Sequence, residues 1–109
     1  MDKHAALNLI YENILGEDSI LLQLRRGGGL DENKFHELIN AMQFLIVEYK
    51  NIDVVPKKLA LSFVDISNYF YFNEGKYSLD QQNAIEDAVQ EIAQLANELF
   101  DCQIRNERN

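Results

Sequence analysis

The sequence predicts an all-α protein, an antiparallel four-helix bundle, and leaves open an extra short helix before the Gly27–Gly29 loop. Three observations point there. Apolar residues recur with a period near 3.6, the mark of a helix with one buried face. The segments that carry this period are joined by short connections, which favour antiparallel neighbours. No stretch alternates as a strand does; Val54-Val55 is too short, and Tyr69 to Phe72 sits within a helical register.

In the first segment Leu7, Ile10, Tyr11, Ile14 and Leu15 fall at i, i+3, i+4, i+7 and i+8, and Gly16 is the expected stop. Ile20, Leu21, Leu22 and Leu24 then form either a short helix or a continuation of the first. Periodicity does not separate the two, because a mid-helix glycine costs only about 1 kcal/mol. Gly27-Gly28-Gly29 breaks the chain, since three consecutive glycines lose too much backbone entropy inside a helix. Asp31 is the expected N-cap of the next helix, with Glu32 favoured by the dipole in its first turn. Phe35, Leu38, Ile39, Met42, Leu45, Ile46 and Tyr49 supply its stripe. Pro56 is expected in the first turn of the third helix, where its missing N–H costs nothing. Leu59, Phe63, Ile66 and Phe70 form that helix's stripe, with Ala60, Ser67 and Tyr71 beside them. Ser78 and Gln81 have capping-box spacing, and the fourth helix carries Ile85, Ala88, Val89, Ile92, Leu95, Ala96, Leu99 and Phe100.

With 109 residues, 47% of them hydrophobic, the chain reads as one domain over 1–101 with a polar tail over 102–109. The single cysteine, Cys102, allows no internal disulfide and suits a reducing compartment. No apolar run approaches the roughly 18–20 residues of a spanning helix, and the opening residues lack the pattern of a signal peptide, so a cytoplasmic protein is expected. The net charge is −8, which counts against free nucleic acid as a partner. The charge is uneven: 54–76 is net +1, whereas 77–109 is net −5.

Catalytic or metal chemistry is not evident. His4 and His36 have no ligand partner at i+4 and read as exposed or cap-region residues. Cys102 has no C-x-x-C partner. Arg25-Arg26-Gly27-Gly28-Gly29 superficially suggests a phosphate cradle, but the Lys-Ser/Thr ending of a P-loop and a preceding strand are both missing, so a flexible hinge is the better reading. Glu86, Asp87 and Glu91 lack calcium-loop spacing and read as a solvated face or a partner surface. Tyr69-Phe70-Tyr71-Phe72 must span all sides of a helix. It fits either a wide core at one end of the bundle or an aromatic patch beside Lys57, Lys58 and Lys76, suited to a protein partner or an anionic membrane.

The stretches Val55-Pro56-Lys57-Lys58-Leu59-Ala60-Leu61-Ser62, Asp65-Ile66-Ser67-Asn68 and Gly75-Lys76-Tyr77-Ser78-Leu79-Asp80-Gln81-Gln82 resemble the enterocin-A-type immunity proteins, which protect against pediocin-like (class IIa) bacteriocins. The likeness is best over about 54–96 and looser over 5–53; its motifs are structural rather than catalytic. The resemblance implies an antiparallel four-helix bundle with no cofactor and no enzymatic activity. It implies action at the inner membrane face, on the mannose phosphotransferase permease once a pore-forming bacteriocin has engaged it. It also implies that the C-terminal half, 56–109, sets which bacteriocin is resisted. On this reading the recognition surface combines Lys57, Lys58, Tyr69, Tyr71, Phe72 and Lys76 with Ile104, Arg105 and Arg108 of the tail. Peripheral membrane contact and a weak homodimer through the aromatic patch both stay open beside a monomer. The alternative is an acidic inhibitor that neutralises a basic soluble toxin enzyme through Glu86, Asp87, Glu91 and Glu98.

Overall fold

The computed structural model describes residues 1–64 and 77–101. Helix α1 spans Lys3–Leu15. The Asp2 carboxylate caps it, accepting from the Ala5 amide at 2.8 Å. The helix stops at Gly16 in extended backbone, where a Cβ would stand 2.5 Å from the Glu12 carbonyl oxygen. The choice left open after Gly16 resolves as a separate helix, α2, over Ile20–Arg25. Its N-cap is Ser19, whose hydroxyl accepts from the Leu22 amide at 3.1 Å. It ends in a Schellman motif: Gly28 N–H donates to Gln23 O at 2.9 Å and Gly27 N–H to Leu24 O at 3.2 Å. Gly27 has φ 84°, the left-handed conformation that such a cap requires and that a side chain disfavours.

Helix α3, Glu32–Glu48, begins at the expected Asp31 cap, which accepts from the Lys34 amide at 3.1 Å. Helix α4 covers Lys57–Val64. Pro56 lies one residue ahead of it rather than inside its first turn, and its carbonyl accepts from Leu59 and Ala60. Helix α5, Leu79–Leu99, starts with both bonds of the expected capping box. Gln81 N–H donates to Ser78 Oγ at 3.2 Å, and Ser78 N–H to Gln81 Oε1 at 2.9 Å. Among the described residues there is no strand, and the helices pack on one another as a bundle.

The packing centres on α3, which lies against α1 and α5, while α1 also contacts α2 and α4. α1 and α3 run antiparallel. Lys3, at the start of α1, sits over the Tyr49 ring at the end of α3, and Lys34 of the first turn of α3 donates to the Asp18 carbonyl beyond the end of α1. α3 and α5 run in the same direction. Their starts meet around Leu30, Gln81 and Ile85, and their ends around Ile46, Tyr49 and Leu99. An up-down-up-down bundle gives its second and fourth long helices this shared direction.

The core holds Ile10, Ile14, Leu24, Leu38, Met42, Leu45, Leu59, Ile85 and Ile92. The α3 stripe is buried as predicted, apart from Ile46, which is half-buried. On α1 the buried face is Ala6, Ile10, Asn13 and Ile14. Leu15, expected on that face, is exposed instead; it lies about 100° around the helix from Ile14. Ala60 is exposed, Phe63 is half-buried, and Ile66 and Phe70 lie outside the described residues.

Candidate interaction surface

Lys57 and Lys58 open α4 because Pro56 fixes the backbone just ahead of them. Both are exposed. The Lys58 Nζ stands 4.6 Å from the centroid of the Tyr11 ring, close enough for a cation–π interaction. The Lys3 Nζ lies 5.4 Å from the Tyr49 centroid in the same way. Burial pushes the Tyr11 hydroxyl pKa above its ordinary 10.0, and Tyr49 adds to the effect. Two lysines are thus laid on two tyrosine rings, one between α1 and the end of α3 and one between α4 and α1.

Tyr11 and Tyr49 were expected only as members of apolar stripes; the hydroxyl that each stripe carries to its edge was the available signal. The other residues expected on the recognition surface, Tyr69, Tyr71, Phe72, Lys76, Ile104, Arg105 and Arg108, lie outside the described residues, as does Cys102. Next to the lysines, α4 turns Leu61 and Val64 outward, 61% and 70% exposed. With Lys57 they fall at i, i+4 and i+7, one helical face. The inward face carries Leu59 and Ser62, the Ser62 hydroxyl donating to the Lys58 carbonyl at 2.9 Å. Near the end of α4, the Phe63 ring meets Phe100 edge-on, with centroids 5.6 Å apart.

The acidic residues of α5 form a second surface. Glu86, Asp87, Glu91 and Glu98 are all exposed. At about 100° per residue, Asp87, Glu91 and Glu98 fall within roughly 40° of one another, and Glu86 lies to one side. Among the described residues no group of three or more His, Cys, Asp or Glu is placed to hold a metal ion, and no helix is long and apolar enough to cross a membrane. His4 and His36 are both exposed.

The glycine run is not a phosphate cradle, because its amides are committed. Gly27 and Gly28 donate to their own helix, and Gly29 donates to the Tyr77 hydroxyl at 3.1 Å. That hydroxyl donates in turn to the Leu24 carbonyl at 2.7 Å. The loop expected as a hinge is therefore a helix cap tied to the start of α5. Tyr77, 5% exposed, is a structural residue that the spacing did not single out. No protein-family model, curated protein or solved structure matches the chain.

Proposed function

We propose that the protein is an immunity factor of the enterocin-A type. It is a cytoplasmic binding module, not an enzyme, that protects its cell from a pore-forming pediocin-like bacteriocin. It does so by engaging the bacteriocin-loaded mannose phosphotransferase permease at the inner membrane face. The observation that carries the reading is how the resembling segments fall on the helices. Pro56 stands directly ahead of α4, the Ser78 capping box opens α5, and Lys57 and Lys58 are exposed between them. A basic, partly apolar helix start suits a protein surface at an anionic membrane. Tyr69, Tyr71, Phe72, Lys76, Ile104, Arg105 and Arg108 complete the proposed recognition surface.

The test is a protection assay in a sensitive strain that carries the mannose permease, challenged with a panel of pediocin-like peptides. Survival against one or a few peptides is expected. Reversing Lys57, Lys58 and Lys76 to glutamate in a variant that still folds should abolish it. Unchanged survival of that variant would remove the lysines from the surface, and killing by every peptide despite folded protein would remove the function.

A second reading is favoured by the shared face of Asp87, Glu91 and Glu98 on α5: an acidic inhibitor of a basic soluble toxin enzyme. Complementary charge speeds such an association and makes it salt-dependent. A soluble basic enzyme captured at low salt and released at high salt would support this reading over the first.

A further inference from the structure

Helix α4 is apolar on two sides. Leu59 and Ser62 face the core. On the opposite side Ala60, Leu61 and Val64 follow Lys57 at i+3, i+4 and i+7, within about 100° of arc, and all four are exposed. Val54, three residues ahead of Lys57, is 76% exposed as well. The solvent face of a surface helix normally carries charge. α1, α3 and α5 follow that rule, turning Glu12, Glu37 and Glu91 outward. The outer face of α4 beyond Lys57 is aliphatic.

Charge says what such a face meets. Residues 54–64 hold Lys57 and Lys58 and no carboxylate, net +2 in a chain of net −8; Asp53 and Asp65 bound the stretch in the sequence. Lys58 stays exposed over the Tyr11 ring. Glu12, the next residue of α1, lines a corner with Glu17, Asp18 and Lys34 instead. Glu98 and Asp101 stand beside Phe63, which lies about 100° around the helix from Val64 and about 9 Å along the axis from Lys57. That exceeds the screening length of about 8 Å at physiological salt. Protein hot spots favour aromatic or arginine anchors in pockets, whereas this face offers aliphatic side chains on a convex helix. Aliphatic side chains flanked by lysines suit the boundary of an anionic bilayer, where long basic stems reach the phosphates.

We propose that the outer face of α4 lies directly on an anionic lipid bilayer, with Lys57 and Lys58 at the phosphates and Leu61 and Val64 at the edge of the acyl chains. The inference deepens the immunity reading and rests on it for where the protein works, naming the lipid around the permease as a partner of the same lysines. Vesicles without permease test it apart from that reading, which the protection assay decides.

The chain contains no tryptophan, so Leu61→Trp, at an exposed position, places a single fluorescent reporter on the face. The full-length variant is titrated with vesicles of equal parts phosphatidylglycerol and phosphatidylcholine, and with vesicles of phosphatidylcholine alone. The anionic vesicles should shift its emission to the blue, and brominated acyl chains should quench it. Gln90→Trp, exposed on α5, should show neither effect. Each lysine near an anionic surface contributes about fivefold to binding. Lys57→Gln/Lys58→Gln, made in the Leu61→Trp chain, should therefore bind about 25-fold more weakly. Equal binding to both vesicle types would overturn the proposal, as would equal blue shifts at Leu61→Trp and Gln90→Trp or unchanged binding without the two lysines. A blue shift at Leu61→Trp only when the vesicles carry the permease would assign the face to a protein and overturn it too.

Discussion

Removing one oxygen atom should loosen the tie between α2, the glycine loop and α5. The Tyr77 hydroxyl donates to Leu24 O at 2.7 Å and accepts from Gly29 N at 3.1 Å. In Tyr77→Phe the ring remains and the two bonds go. The Leu24 carbonyl keeps a partner in the Gly27 amide, so its loss is about 1 kcal/mol, the net worth of an ordinary hydrogen bond. Gly29 is half-buried; water replaces part of its bond, and the penalty for its stranded amide is again about 1 kcal/mol. The expected total is about 2 kcal/mol, against about 5–15 kcal/mol for a whole domain. That corresponds to a midpoint lower by about 8–16 °C in a domain of this size. Urea unfolding followed by far-ultraviolet circular dichroism measures it, with an unchanged slope showing that the same surface is exposed. A loss below about 0.5 kcal/mol would show that the hydroxyl does not hold the loop.

Other perturbations test single features of the same frame. Ser78→Ala removes the capping-box acceptor of α5 and should cost about 1 kcal/mol in urea unfolding; a loss of helical signal without a stability change would point to fraying alone. Gly16→Ala sets a Cβ against the Glu12 carbonyl and should cost about 1–3 kcal/mol, measured the same way. Asn13→Leu replaces an unpaired buried amide with an apolar side chain of similar size and should raise stability by roughly 1–3 kcal/mol; a loss instead would mean that the amide is satisfied in solution. For Tyr11, the unfolded chain releases the phenol proton near 10.0, while burial makes the folded chain hold it to higher pH. The folded state then binds more protons, so this contribution is intact below pH 10 and is lost as pH rises above about 10. Tyr11→Phe should flatten the fall of the urea midpoint between about pH 9 and about pH 11.

The sequence disclosed what is local. Asp31, Ser78 and Gly16 act within three or four residues of themselves, so spacing alone places the starts of α3 and α5 and the end of α1. The stripe from Phe35 to Tyr49 is legible for the same reason, since a helix repeats its own geometry. The long-range contacts carry no such trace. The Tyr77–Leu24 bond joins residues 53 apart, and Lys58 reaches Tyr11 from another helix. The surface expected around Lys57 and Lys58 is thus seen with Tyr11 and Leu61 as neighbours, while its expected aromatic run lies outside the described residues.

Asn13 shows how a pattern read by residue type can hide a buried position. Counting only apolar residues puts Leu15 on the buried face of α1 and leaves Asn13 off it. Counting position gives the opposite result: residues 6, 10, 13 and 14 stand at i, i+4, i+7 and i+8, and all four are buried. An amide on that stripe, beside a turn bearing Glu17 and Asp18, breaks the rule that core positions are apolar or hydrogen-bonded. Such a departure costs stability unless the amide finds a partner. The stability change in Asn13→Leu therefore measures directly what an unpaired amide on the core-facing stripe costs at the end of α1.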